Sequence, residues 1–264
     1  MPRYESGKAY RQALGFNNRE RLKEYFKAKD IKSVNWELIG LLNERLIETF
    51  SKINSVICED YKISNEEFAA FQVQMNEAYT ILKDYRIIED LLTNNGRPRE
   101  SVYFNWMRGY LVALYFRKVV ARIFSVQENE IEQLGEDNLQ NVKETGNCSA
   151  FKKEALADLK IESINVHIEI QAGFTGENDI KKSKARDAQR RQGDGWETYV
   201  LHFDLFNGNL AVVNVTNLAN LPMERWIKND QFEGVYTVKI PNEAFKWNLG
   251  DTLPNLDALA YTIE

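Results

Sequence analysis

The chain contains few cysteines and few histidines, with only two of each among its 264 residues. Cys58 and Cys148 belong to no paired motif, which excludes a disulfide framework and a cysteine zinc site. No apolar run approaches the ~20 residues that a membrane-spanning helix needs, and residues 1–8 lack the apolar stretch of a signal peptide. The chain also has no glycine-rich phosphate loop, nucleophile elbow or cysteine–histidine arrangement. We therefore expect a cytoplasmic protein.

The charge balance limits how the chain can bind a polyanion. Its formal net charge is −5, with 28% charged and 44% apolar residues, which is typical of an ordinary globular protein. Since the overall field is not cationic, nucleic acid would have to be bound through a local basic patch.

The first half of the chain has helical periodicity. Residues 35–56 place apolar side chains at intervals of three and four, which predicts an amphipathic helix. Ser64 followed by Glu67 is a capping-box pattern and predicts a second helix that ends near Leu92. Residues 101–124 are rich in aromatic side chains and predict one long helix.

Two interpretations of that aromatic helix stay open. It is either a core helix whose cations extend outward along their aliphatic stems, or a helix from which Arg97, Arg99 and Arg108 reach phosphates. The polar residues 127–146 that follow predict a loop with one helical turn.

A strict alternation over residues 157–171 indicates a β-hairpin, since a period of two is typical of a half-buried strand. One side holds Ile164, Val166, Ile168 and Ile170, and the other holds Asn165, His167, Glu169 and Gln171. A fold between Glu162 and Asn165 places Asp158 directly opposite Glu169, and opposed residues share a face of the sheet. Two carboxylates held together repel unless a positive charge lies between them, and a divalent cation is the natural occupant.

The segment after the hairpin predicts a basic helix and further strands. Residues 179–191 form the helix, with a thin apolar stripe and basic residues Lys181, Lys182, Lys184, Arg186, Arg190 and Arg191. This helix is either a solvated charged face or a phosphate-binding surface. Strands are predicted at 198–206, 210–215 and 232–240, the first two joined at the Asn207-Gly208 turn signal.

The two histidines are interpreted more simply. We expect His202, on a later strand, to be structural. His167 shares the polar face of Glu169, and a lone strand histidine is more often structural or close to a bound nucleic acid than a metal ligand.

The arrangement of Asp158, ten intervening residues and Glu169-Ile170-Gln171 resembles the motif of the PD-(D/E)XK nuclease family, which includes most type II restriction endonucleases. The resemblance covers roughly residues 100–220 and includes the α-β-β-β-α-β order of that core. It implies a mixed α/β fold with a central sheet of the restriction-endonuclease-like type, flanked by helices, and a helical N-terminal portion. Residues 1–98 would serve dimerisation or DNA recognition, and residues 99–264 would be the catalytic core.

The resemblance also implies roles for individual residues. Asp158 and Glu169 match the metal-binding acids, and the carbonyl of Ile170 would complete a site for one or two Mg²⁺ ions. Gln171 stands at the position of the lysine thought to orient the attacking water, and a glutamine can hydrogen-bond that water but supplies no positive charge. Ala157 replaces the proline of the motif, and Glu100 is the candidate for the further acid that family members often place on the preceding helix.

The implied function is a Mg²⁺-dependent restriction endonuclease acting on double-stranded DNA. Lys181, Lys182, Lys184 and Arg186 would neutralise phosphates, giving salt-dependent affinity. A palindromic target calls for a homodimer, and a cognate DNA methyltransferase would protect the host. Two alternatives remain: a non-catalytic DNA-binding module on the same fold, and a helical protein-interaction protein whose hairpin is incidental.

Overall fold

The computed structural model describes residues 7–15, 34–90, 98–134, 136–147, 157–174, 176, 178–229 and 234–264. The described helices are α1 (Lys8–Leu14), α2 (Trp36–Val56), α3 (Asn65–Asp84), α4 (Ile87–Asp90), α5 (Arg99–Tyr115), α6 (Arg117–Phe124), α7 (Glu136–Thr145), α8 (Lys182–Gly193) and α9 (Leu256–Leu259). The described strands are β1 (Ile131–Gln133), β2 (Leu159–Ile161), β3 (Val166–Gly173), β4 (Asp179–Lys181), β5 (Glu197–Asp204), β6 (Asn209–Asn214), β7 (Ile227–Asn229), β8 (Val235–Lys239), β9 (Phe245–Asn248) and β10 (Ala260–Thr262).

The fold is mixed α/β, with a mixed sheet and a helical N-terminal part. The larger sheet has the order β1-β2-β3-β5-β6-β10, and β9 also pairs with β6. The β3–β5 and β6–β10 pairs are parallel, whereas the other pairs of this sheet are antiparallel. Strands β4, β8 and β7 form a smaller antiparallel sheet.

Each face of the larger sheet packs into its own apolar core. Ile168, Ile170 and Leu201 belong to a core that also contains the buried side chains of helices α1 to α7. Val200 and Val213 belong to a second core, which α8 and the smaller sheet complete. Because neighbouring residues of a strand point to opposite faces, helices cover both sides of β3 and β5.

The N-terminal helices begin where the sequence provides capping side chains. The Asn35 side chain accepts a hydrogen bond from the backbone of Leu38 at the start of α2. Ser64 and Glu67 form the predicted capping box at the start of α3. That helix ends at Asp84 rather than near Leu92, and α4 follows it. None of the helices in the described ranges is long and apolar enough to cross a membrane.

The structure corrects the prediction of one helix over residues 101–124. The helix breaks at Phe116 into α5 and α6, and the buried Phe116 ring stacks on Phe203 of β5 with ring centroids 4.2 Å apart. Arg108 of α5 lies against the Phe104 ring at 5.3 Å, and burial lowers the pKa of its guanidinium to about 10. Arg97 lies outside the described residues.

Two further predictions were wrong in their secondary structure. Residues 127–146 contain strand β1 and helix α7 rather than a loop. The basic segment starts as strand β4, since Ile180 pairs with Val238 of β8, and becomes helical only at Lys182. Tertiary pairing decides strands β1 and β4, because a three-residue strand has too few positions to show a period.

Helix α1 docks on the turn between β5 and β6. Arg11 is 4% exposed and donates from Nη1 to Oδ1 of Asn207 at 2.6 Å. Gly208, with φ +69°, adopts a left-handed conformation that favours glycine. A Cβ atom at Gly208 would lie 2.5 Å from Cγ of Tyr10, so the turn also depends on glycine for this close approach.

Candidate active site

The predicted hairpin register is confirmed. Leu159 pairs with Ile168 and Lys160 with His167, so Asp158, which directly precedes β2, lies beside Glu169 where the ladder begins. The turn is a short 3-10 segment ended by Asn165 at φ 54°, a left-handed conformation that asparagine tolerates. Ile164, predicted to lie on the apolar side, is 42% exposed because it belongs to this turn.

Asp158 is held by backbone groups of β3. Its Oδ2 accepts a hydrogen bond from the Ile170 N–H at 2.7 Å, and its own N–H donates to the Ile168 carbonyl at 3.0 Å. Burial raises the pKa of Asp158 to about 6; the Lys184 charge opposes that increase, and nearby Glu169 adds to it. The carboxyl of Asp158 is therefore closer to neutral in the folded chain than an ordinary aspartate.

Glu169 is 1% exposed and is bound by two cations of α8. Nζ of Lys184 contacts Oε2, and Nη1 of Arg191 donates to Oε1 at 3.0 Å. Lys184 and Arg191 lie two helical turns apart, and residues at this spacing share a face of a helix. Burial opposes the charge on Lys184, but Glu169 and Asp158 outweigh it, so the pKa of this amine is raised. The expected positive charge beside the acids comes here from protein side chains.

Gln171 contacts a side chain of the neighbouring strand β5. It pairs with His202 in the parallel ladder of β3 and β5, and Oε1 of Gln171 lies 3.1 Å from Nδ1 of His202. Glu169 and Gln171, two residues apart on β3, share the face that α8 covers. Asp158, Glu169 and Gln171 therefore lie together in this region of the sheet.

The four predicted phosphate-binding residues do not form one exposed row. Lys182 extends over the Trp226 ring at 5.3 Å, and its Nζ lies 2.9 Å from Sδ of Met223. Lys184 is bound to Glu169, as described above. Lys181 ends strand β4 and is partly buried, while Arg186 is exposed.

The donor set has the chemistry that Mg²⁺ prefers. Asp158 and Glu169 provide carboxylate oxygens, and the Ile170 carbonyl points toward the same strand edge as the N–H that binds Asp158. Magnesium takes few protein ligands and keeps several waters, so these oxygens fit it once Lys184 no longer occupies Glu169. Within the described residues, no group of three or more His, Cys, Asp or Glu side chains is arranged to hold a metal.

Glu100, the candidate for a further acid on the preceding helix, contacts the start of α2. It is fully buried at the start of α5, and its Oε1 accepts a hydrogen bond from the Asn35 backbone N–H at 2.7 Å. The carboxyl of Glu100 thus binds the start of α2.

A small aromatic cluster borders the acids. The His167 ring lies 4.6 Å from the Trp196 ring, and Lys160 lies 5.3 Å from the same indole. Burial, with Arg191 and Lys160 as further causes, lowers the pKa of His167 to about 4. His167 is therefore a neutral side chain packed next to Glu169.

The sequence interpretation missed Arg191 and His202 as parts of this region. For Arg191 a signal existed, because its spacing of seven from Lys184 places both cations on one helix face. For His202 none existed, because the pairing of β3 with β5 cannot be predicted from local pattern.

A comparison of the chain with family models, with curated proteins and with solved structures found no match.

Proposed function

We propose that the chain is a Mg²⁺-dependent type II restriction endonuclease, which hydrolyses phosphodiester bonds of double-stranded DNA at a specific sequence. The observation that carries this proposal is the proximity of Asp158, which directly precedes β2, to the buried Glu169 of β3, with Gln171 on the same face of β3 as Glu169. The order of helices and strands supports it. Helix α6, strands β1, β2 and β3, helix α8 and strand β5 follow the α-β-β-β-α-β order of the PD-(D/E)XK core, with α7 and β4 as insertions.

Asp158, Glu169 and the carbonyl of Ile170 would hold the metal. When bound, Mg²⁺ supplies a Lewis acid that activates water and stabilises developing charge on the phosphate. Gln171 orients the water by hydrogen bonding. Lys184 would contribute the positive charge that Gln171 lacks, since its ammonium, once it no longer occupies Glu169, can still interact with Asp158.

The DNA phosphates would contact the exposed side of α8. Arg186 is exposed, and Arg190 is 75% exposed although it pairs with Asp187. Lys181 and Lys182, where β4 ends and α8 begins, would add further phosphate contacts. Affinity from such contacts falls steeply with salt.

We further propose a homodimer, with residues 1–98 contributing dimerisation or base recognition and residues 99–264 the catalytic core. A two-fold dimer places one active site on each strand of a palindromic target. A cognate DNA methyltransferase in the same genome would protect the host.

Digestion of plasmid DNA tests the function. Purified protein with Mg²⁺ should yield discrete fragments, and Glu169→Gln should reduce cleavage by about a hundredfold or more while DNA binding in EDTA persists. The matched control is Glu162→Gln, an acid in the turn of the same hairpin whose side chain is 77% exposed, which should cut like the unchanged chain. Equal cleavage by Glu169→Gln, or no cleavage by any form, would refute the proposal.

One observation favours the second candidate, a non-catalytic DNA-binding module. Glu169 is already compensated by Lys184 and Arg191, so the acids have a structural role even without a metal. This candidate predicts salt-sensitive DNA binding with no cleavage in either Mg²⁺ or Mn²⁺. The third candidate, a protein-interaction protein, predicts no DNA binding at low salt.

A further inference from the structure

His202 is buried beside Gln171 and is fixed by its strand. It is 4% exposed, and its ring makes an edge contact with Phe245, with centroids 5.8 Å apart at 87°. A lateral row of Gln171, His202, Ala211 and Phe245 crosses four adjacent strands on the face that α8 covers. The buried histidine ring is therefore packed between its strand neighbours.

The contact between the two side chains defines the orientation of an amide. Oε1 of Gln171 can only accept a hydrogen bond, and it lies 3.1 Å from Nδ1 of His202. Either ring nitrogen of a neutral histidine can hold the proton, and in this arrangement the two side chains form a hydrogen bond only when Nδ1 holds it and donates. With Oε1 facing His202 of β5, the two N–H donors of this amide lie on its other side, and β2 lies on the opposite side of β3 from β5.

We propose that His202 is a positioning residue that turns the amide of Gln171 so that its N–H donors, and not its oxygen, face the acid pair. This inference rests on the proposed nuclease function. Near Asp158 and Glu169 an amide oxygen would add a third acceptor to two carboxylates, whereas an N–H can donate to a water or to a phosphate oxygen. His202 thereby makes a neutral glutamine act as a hydrogen-bond donor, as a lysine in this position would.

Two substitutions at His202 separate positioning from packing. His202→Phe keeps a planar ring against Phe245 but removes the donor, and it should lower kcat for plasmid cleavage about fivefold to tenfold with KM changed less than about twofold. His202→Asn places an amide N–H close to the position of Nδ1 and should restore kcat to within about threefold of the unchanged chain. Urea denaturation of both variants shows whether either has lost its fold.

A spectroscopic measurement tests the same orientation without catalysis. The chain has two histidines, so nitrogen-15 spectra of the imidazoles, assigned with His167→Gln, should show His202 protonated on Nδ1. Protonation on Nε2 alone would overturn the inference, and so would cleavage by His202→Phe at the unchanged rate. Absence of cleavage by the unchanged chain would instead refute the proposed function, while the spectra would still decide how the amide is oriented.

Discussion

Replacing Asp158 by asparagine should stabilise the folded chain at neutral pH. Asparagine has nearly the same shape and retains an oxygen for the Ile170 N–H that binds Asp158 at 2.7 Å. It removes a carboxyl whose charge is disfavoured, since burial raises the pKa of Asp158 to about 6, compared with about 3.9 in an unfolded chain. The gain should therefore depend on pH.

The sign and size follow from proton linkage. Between about pH 4 and pH 6 the folded chain holds a proton on Asp158 that the unfolded chain has lost, so stability falls as pH rises through this window. The penalty is below about 1 kcal/mol at pH 4 and approaches about 3 kcal/mol at pH 8, since a tenfold difference in acid dissociation equals about 1.4 kcal/mol. Asp158→Asn should be more stable than the unchanged chain by these amounts.

Urea denaturation in EDTA, followed by tryptophan fluorescence at pH 4 and pH 8, measures the difference. Asp187→Asn, an acid of α8 paired with exposed Arg190, is the matched control and should change the free energy of unfolding by less than about 1 kcal/mol. The stability that Asp158→Asn gains over the unchanged chain should be larger at pH 8 than at pH 4. An equal or smaller gain at pH 8 would refute the reasoning. Adding Mg²⁺ should stabilise the unchanged chain but not Asp158→Asn.

Three other substitutions have defined expectations. Lys184→Met leaves Glu169 with one cation instead of two and should lower the free energy of unfolding by about 2–4 kcal/mol, measured by urea denaturation at pH 8; an unchanged midpoint would show that Arg191 alone suffices. Ser64→Ala removes the capping box and should cost about 1 kcal/mol, and no loss would mean that the start of α3 frays in solution. Gly208→Ala should loosen the docking of α1, seen as faster hydrogen exchange at Tyr10; unchanged protection there would contradict the close packing of that turn.

The sequence predicted the hairpin well because its information is local. A period of two over β3 and the short turn at Glu162–Ile164 fix the register, and this register brings Asp158 beside Glu169. The capping box at Ser64 and the Asn207-Gly208 turn are equally local signals, and both are found in the structure.

The spacing of Lys184 and Arg191 places both on one helix face, but the packing of that face against the acids could not be predicted from local pattern. Lys184 and Arg191 contact Glu169 only because α8 crosses over the sheet between two parallel strands. The pairing of Gln171 with His202 depends on the same crossover, since 31 residues separate the two positions. The sequence showed a basic helix, but not which of its cations turn inward.

The docking of α1 on the β5–β6 turn has a consequence for the order of folding. The hydrogen bond from Arg11 to Asn207 spans 196 residues, so the ribosome releases one partner long before it makes the other. Loop-closure entropy penalises such a distant contact, and helix α1 has only seven residues, too few to persist alone. We therefore expect docking of α1 to be a late event, which completes only after the strands that form its binding surface have assembled.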